Sequence, residues 1–310
     1  GQRIRADALV LALGNAPGGT RPSSITAGVP GVVSAWDLFA RGEIGPTGRT
    51  LILGSGLTMI DTVLTLKKAG SGRLLALSRH GYLPQAYAPA VPRPPVLLPG
   101  WGGSPRRALR RLRAQEGSPT WQSRIASLRP VTADLWREMS VVQRHRFLRH
   151  LKSLWDTHRH QLAPPVARRV AGWLADGTLV VRAGRIVAIE SGAGQSRRVV
   201  FRRRGEREPE SWECDRIVDC LGIDGSLHRE SHPLVGSLID QRLIRTDPLG
   251  LGIDTDPDGR VIDAAGALSA RIFAIGALRR GECWESVAVP ELREQAVRLA
   301  SLLDQGDLPQ

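Results

Sequence analysis

An α/β fold organised on parallel sheets is predicted by three observations. A short, continuous apolar run ends in glycine at residues 8–13, and mainly apolar runs at 217–221 and 271–275 repeat its form. The run at 51–53 ends in Gly54-Ser-Gly56, then a helical pattern, then another apolar run at 74–77. A long middle stretch, 104–176, is patterned as helix. Runs without polar alternation suit strands covered on both faces. Strand, helix and strand in succession suit a parallel sheet.

The bulk properties bound the function. The 310 residues are 42% hydrophobic, with a mean hydropathy of −0.15. That suffices for one or two domains. No apolar run is long enough to span a bilayer, so no membrane partner is expected. The chain opens without Met or a leader and runs straight into a strand, so it reads as a fragment of a longer cytoplasmic protein. Cys214, Cys220 and Cys283 are odd in number and contain no Cys-x-x-Cys. This excludes a disulfide scaffold and a redox dithiol of the usual spacing, and gives no zinc pattern. The net charge of +13 suggests a polyanion partner. However, Lys occurs only at 67, 68 and 152, and Asn15 is the only Asn. Arg in place of Lys with little Asn is what GC-rich coding produces without selection for nucleic acid. No specific nucleic-acid partner is therefore expected.

Taken in order, residues 8–13 read as a fully buried strand and 15–31 as a loop. Residues 49–53 form the next strand, and a helix follows from about 57 to 69, ended by Gly70 and Gly72. Residues 73–77 complete a βαβ unit. Residues 84–103 are proline-rich loop. Helix starts are expected at Ser118-Pro119, at Thr132, at Ser140-x-x-Gln143 and at Pro164-Pro165. Runs at 179–182, 185–189 and 199–202 read as a small antiparallel group, and a last helix spans about 290–303.

The sharpest chemical feature is Leu51-Ile-Leu-Gly54-Ser-Gly56-Leu-Thr-Met-Ile-Asp61. Gly54 permits a tight turn, and Gly56 lets a diphosphate approach the backbone. The helix N-terminus at Ser55, Leu57 and Thr58 offers N–H groups and a positive dipole end. The third glycine of the usual fingerprint is replaced by Met59, so looser or differently angled helix packing is expected. A purely structural turn is the alternative; strand, helix and second strand at the right spacing favour binding. The second strand ends in Ser78-Arg79-His80, without the carboxylate that bonds a 2′-hydroxyl. Arg79 suits a 2′-phosphate, so NADP(H) is expected over NAD(H).

Other motifs carry less. Asp254-x-Asp256-x-Asp258-Gly259 begins like a calcium loop, but Ala265 stands where a bidentate Glu is needed, and a turn is expected instead. His158-Arg-His160, after Trp155-Asp156, suits an acid–base pair, although a helix-surface role is favoured. Trp101, Trp121, Trp136 and Trp155 read as core anchors of the helical stretch.

Several segments resemble a bacterial family of FAD/NAD(P)-binding proteins, distant relatives of flavin monooxygenases and pyridine-nucleotide oxidoreductases. They are Leu11-Ala-Leu-Gly14, Leu77-Ser-Arg-His-Gly81, Trp155-Asp-x-His-Arg-His160, Asp247-Pro-Leu-Gly-Leu-Gly252, Arg271-Ile-Phe-Ala-Ile-Gly276 and Trp284-Glu-x-x-x-x-Pro290. The resemblance implies two Rossmann-like dinucleotide-binding domains of three-layer α/β build, the NADP domain inserted in the FAD domain. It divides the chain into 1–46 (FAD domain), 47–222 (NAD(P) domain with a helical insert at 85–176) and 223–310 (FAD domain again). It implies cofactor contacts at Gly14, Asn15, Gly222, Gly276, Trp284 and Pro290, with the Pro290 helix aimed at the flavin. Its earlier glycine motif for the FAD diphosphate is missing here, and Ala277 stands where related flavoproteins have Asp. The function implied is an FAD-dependent, NADPH-using oxidoreductase, monooxygenase-like, passing electrons to oxygen or a small-molecule acceptor. A non-catalytic nucleotide-binding sensor or interaction protein is the alternative.

Overall fold

The computed structural model describes residues 4–15, 29, 31–41, 44–90, 104–114, 120–192, 194, 196–221 and 232–304. The expected helix start at Ser118-Pro119, Trp101 and the candidate contact Gly222 lie outside them. The chain forms two compact units: 1–18, 91–150 and 225–310 make the first, and 19–90 with 151–224 the second. Both are α/β, and the chain threads from one to the other and back.

In chain order the elements begin with β1 (Leu9–Leu11), β2 (Val32–Ser34) and α1 (Ala35–Arg41). The βαβ unit follows as β3 (Arg49–Leu53), α2 (Leu57–Lys68) and β4 (Arg73–Ser78). Six helices come next: α3 (Pro105–Arg113), α4 (Trp121–Leu128), α5 (Thr132–Glu138), α6 (Val141–His150), α7 (Lys152–Arg159) and α8 (Pro164–Ala175). Then come β5 (Leu179–Ser191), β6 (Arg197–Arg203), β7 (Glu210–Cys214) and β8 (Arg216–Asp219). The chain closes with α9 (Pro233–Asp240), β9 (Arg260–Ile262), β10 (Leu268–Ala274), α10 (Arg280–Cys283) and α11 (Val289–Asp304).

The second unit is built on a seven-stranded sheet of order β2-β8-β3-β4-β5-β6-β7. Its strands are parallel from β2 to the first half of β5. Leu51, Ile52, Leu74 and Ala76 are nearly inaccessible, as strands covered on both faces require. Met59, Ile60, Val63 and Leu66 of α2 join Ile52, Leu74, Ala76 and Val218 in one core. Met59 is fully buried there, so the residue that replaces the third glycine fills the helix–sheet interface.

Three expectations change. The antiparallel group is not separate: β5 is one strand of 13 residues, paired parallel to β4 over 179–183 and antiparallel to β6 from Gly184 onward. Period alone cannot show one strand serving both pairings. Second, β2 pairs with β8, so residues 19–46 belong to the second unit rather than before its boundary, while 91–150 of the helical insert fall in the first. Third, the 8–13 run is strand only over Leu9–Leu11, with Leu9 46% and Val10 36% exposed. Its one partner among the described residues is β10, which leaves its other edge uncovered by them.

The first unit carries a three-stranded sheet of order β1-β10-β9 over a core of Leu11, Val235, Ile244, Ile253, Val261 and Ala274. Ser104 and Ser140 cap helices as the sequence pattern requires, accepting from the N–H of Arg107 and Gln143. Thr132 does not: its hydroxyl donates to the Leu128 carbonyl at 2.8 Å, and a 3-10 turn over Arg129–Val131 leads into α5. Asp256 forms the expected turn, its carboxylate accepting from the N–H of Asp258 and Arg260, both at 2.9 Å. No described helix is long and apolar enough to cross a membrane.

Candidate functional site

In the second unit, β3 lies between β4, which follows it in the chain, and β8, which comes much later. Open parallel sheets bind ligands beyond the strand ends at such a reversal. A cavity of about 410 Å³ sits there. Its floor is the turn at residues 54–58; residues 78–82 form one side, Cys220 and Leu221 another, and α7 faces the turn.

The two glycines of the turn differ. Gly54 has φ +104°, and a Cβ there would meet the Cys220 carbonyl oxygen at 2.6 Å. Its N–H donates to the Leu77 carbonyl at 2.8 Å. The fold itself requires glycine at this position. Gly56 has φ −86°, which any residue adopts, and a Cβ there would touch nothing within 4 Å. It opens to the cavity at the N-terminus of α2, where no side chain caps the helix and the first turn holds no acid. The unbonded N–H groups and dipole of that turn suit an anion.

Ser55 and Ser78 tie the turn to the end of β4. The Ser55 hydroxyl donates to Ser78 Oγ at 2.8 Å, and that same oxygen accepts from the Gly81 N–H at 2.9 Å. Leu57 and Thr58 line the cavity, Leu57 with 39% of its surface exposed. Arg79 is exposed at its rim. Beside it, the His80 and Tyr82 rings stack at 5.3 Å and 13°. Arg204, from the β6–β7 turn, reaches His80 Nδ1 at 3.0 Å. Burial and then the charges of Arg204, Arg79 and Arg185 hold the imidazole below its ordinary pKa, so this corner is electropositive around a neutral ring. Sequence reasoning missed Arg185 and Arg204, because only strand pairing brings them beside residue 80.

On α7, the Lys152 ammonium pairs with the Asp156 carboxylate, whose other oxygen lies 3.9 Å from His160 Nε2. His158 is separate: its Nδ1 is bonded to the Leu154 carbonyl at 2.8 Å, and it does not line the cavity. The suspected His158/His160 pair is thus not brought together over one site. Cys220 does line the cavity, but burial pushes its thiol up to about 12, so it is no nucleophile at neutral pH.

The candidate residues of the first unit are arranged differently. Gly14 (φ +67°) and Asn15 follow β1 and are exposed. Gly276 (φ +75°) ends β10, but its N–H already donates to Gln295 Oε1 at 2.9 Å, and a Cβ there would press on Leu292. Trp284 takes φ +55°, an uncommon and costly conformation for a bulky residue. The residue is 8% exposed, its ring stacked on Trp136 at 4.9 Å and edge-on to Phe147 at 5.5 Å. Trp136 Nε1 donates to the Gly281 carbonyl, which also accepts from Arg144. Pro290 is exposed in the first turn of α11, and its neighbour Glu291 is paired with Arg129. Among the described residues no cluster of three His, Cys, Asp or Glu side chains suits a metal.

The fold is mixed α/β on parallel-strand sheets, as in two-domain proteins of Rossmann type. The chain is similar in structure to the L-lysine 6-monooxygenase of Pseudomonas syringae, with a TM-score of 0.63 at 20% identity. It is similar also to the ornithine N-hydroxylase of Kutzneria sp. 744, solved with reduced FAD, NADP+ and L-ornithine, with a TM-score of 0.58 at 16% identity. The ornithine hydroxylase of Pseudomonas aeruginosa gives 0.57 at 16%. Each match covers 96% of this chain, which spans 64%, 63% and 62% of those proteins respectively. No protein-family model and no curated protein sequence matches the chain.

Proposed function

We propose that this chain is the NADP(H)-binding part, and a portion of the FAD-binding part, of a flavin-dependent oxidoreductase. One observation carries the nucleotide assignment. Neither backbone conformation nor packing demands glycine at 56, whereas both demand it at 54. A missing side chain that the protein does not need leaves room for something else, and a diphosphate at a helix N-terminus is what that geometry fits. The N–H groups of Leu57 and Thr58 hold the diphosphate, the Ser55–Ser78 bond fixes the turn, and Arg79 pairs with the 2′-phosphate. Bound NADPH supplies a hydride; the residues of this chain bind and orient it.

The first unit corresponds in this reading to the FAD side, with Gly14, Asn15, Gly276, Trp284 and Pro290 at the flavin border. Its described residues contain no strand–glycine–helix turn like 54–58, and the Gly276 N–H is already bonded. They do not by themselves form a diphosphate cradle, so no step is assigned to them at a flavin. The acceptor is oxygen or a small organic molecule, by likeness to the monooxygenase and hydroxylase named above.

The full chain, incubated with FAD and freed of excess, is to be scanned in the visible before and after anaerobic NADPH. Retained flavin absorbance that NADPH bleaches faster than NADH supports the reading. Protein that takes up NADPH but no FAD reduces it to nucleotide binding alone, and protein that takes up neither overturns it.

A further inference from the structure

We propose that the polar face of α7 is the second wall of the dinucleotide site, with Lys152 as its cation for the diphosphate. The proposal rests on the nucleotide reading and goes beyond the glycine turn. Lys152, Ser153, Asp156, Thr157 and His160 all line the cavity, at spacings i, i+1, i+4, i+5 and i+8. The first four share one face of α7, His160 follows as its C-cap, and all five are polar. A surface helix normally turns its apolar stripe inward. Here the polar stripe faces an open cleft opposite a helix N-terminus, while Leu154 and Trp155 lie off the cavity. The helix is held there by backbone bonds. Gln85 N–H donates to the Thr157 carbonyl at 3.0 Å, Leu162 N–H to that of Gln85 at 2.8 Å, and Tyr87 N–H to that of Leu162 at 2.8 Å.

Charge supplies the role. A diphosphate carries two negative charges, and a helix N-terminus offsets only about half a charge. Arg79 stands at the end of β4, where the ribose and its 2′-phosphate are read. Lys152 is the lysine on the cavity wall. Its pairing with Asp156 is exposed on both sides, 46% and 35%, so it is a weak pair that a phosphate can displace. Asp156 then positions Lys152 and His160 as one row, its carboxylate set between the two.

The test is the affinity for NADPH and for NADH, by calorimetric titration, of the unsubstituted full chain and four variants. Both nucleotides share the diphosphate, so Lys152→Met is expected to weaken both by the same factor, about tenfold. Arg79→Ala is expected to weaken NADPH far more than NADH. Lys152→Arg should recover most of the loss, and Lys68→Met, which removes one positive charge outside the cavity, should change neither affinity beyond about twofold. Unchanged binding in Lys152→Met, or loss confined to NADPH, overturns the proposal while leaving the nucleotide reading intact. Binding of neither nucleotide by the unsubstituted chain overturns both. Lys152 is exposed, so its variants are expected to melt with the parent.

Discussion

The strands β3 and β10, one in each unit, both run into a glycine, and the chain treats the two ends oppositely. After β3, Gly54 is locked by the Cys220 carbonyl while Gly56 faces open space. After β10, the Gly276 N–H is taken by Gln295, Leu292 presses where a Cβ would sit, and Trp284 is buried under Trp136 and Phe147. The same sequence form, an apolar run closed by glycine, thus yields one end with donors left for a ligand and another satisfied by the protein's own side chains. What distinguishes them is the element that follows. A long helix starting at Gly56 without a capping side chain leaves donors unused. The short 3-10 turn and α10 after Gly276 instead bring Arg279 to the carbonyls of Asp256 and Pro257 and fold the chain onto itself.

Substitutions test this contrast. The largest effect is expected from Trp284→Ala, which removes a stacked, buried indole and should cost about 3–5 kcal/mol in chemical denaturation. Unaltered stability would mean that the aromatic stack does not hold the first unit's glycine end. Gly54→Ala should cost about 2–4 kcal/mol, from the forced positive φ and the contact with the Cys220 oxygen. Gly56→Ala is the discriminating partner: stability is expected to fall by no more than about 1 kcal/mol, while NADPH affinity drops at least about tenfold by titration. Equal stability losses at 54 and 56 would erase the difference between the two glycines. Gln295→Ala strips the acceptor from the Gly276 N–H and should cost about 1 kcal/mol.

The smallest effect concerns pH. The folded pKa of His80 lies below 6.5, so the unfolded chain binds the proton more readily. The resulting stability is fully present above about 6.5 and falls as the pH drops from there through the folded value. A 2′-phosphate beside Arg79 and Arg204 should raise the folded pKa, and NADPH should raise it more than NADH in an imidazole NMR titration. Equal shifts would place the extra phosphate away from this corner.

Much of the candidate site was legible because its signals are local. Strand, Gly54-Ser-Gly56 and helix are contiguous, and Ser78-Arg79 follows β4 directly. Arg204 and Lys152 were not, since only a β-hairpin brings the first to His80 and only the docking of a helix from a later segment brings the second to the cavity. Burial misled where pairing decides it: Leu9 and Val10 look like an interior strand, yet they are substantially exposed beside their one described partner. Trp284 reads as a functional aromatic, but no local pattern shows that Trp136, far away in sequence, covers its ring.

The bonds joining Gln85, Tyr87 and Leu162 have a consequence for how such a chain can change over generations. They bring the start and end of the intervening segment together beside the sheet. The entropy of closing such a loop grows only with the logarithm of its length. Loop closure therefore sets little limit on the length of the stretch between the two ends; what constrains it is its own contacts, Trp136 stacked on Trp284 and the cavity-lining residues of α7.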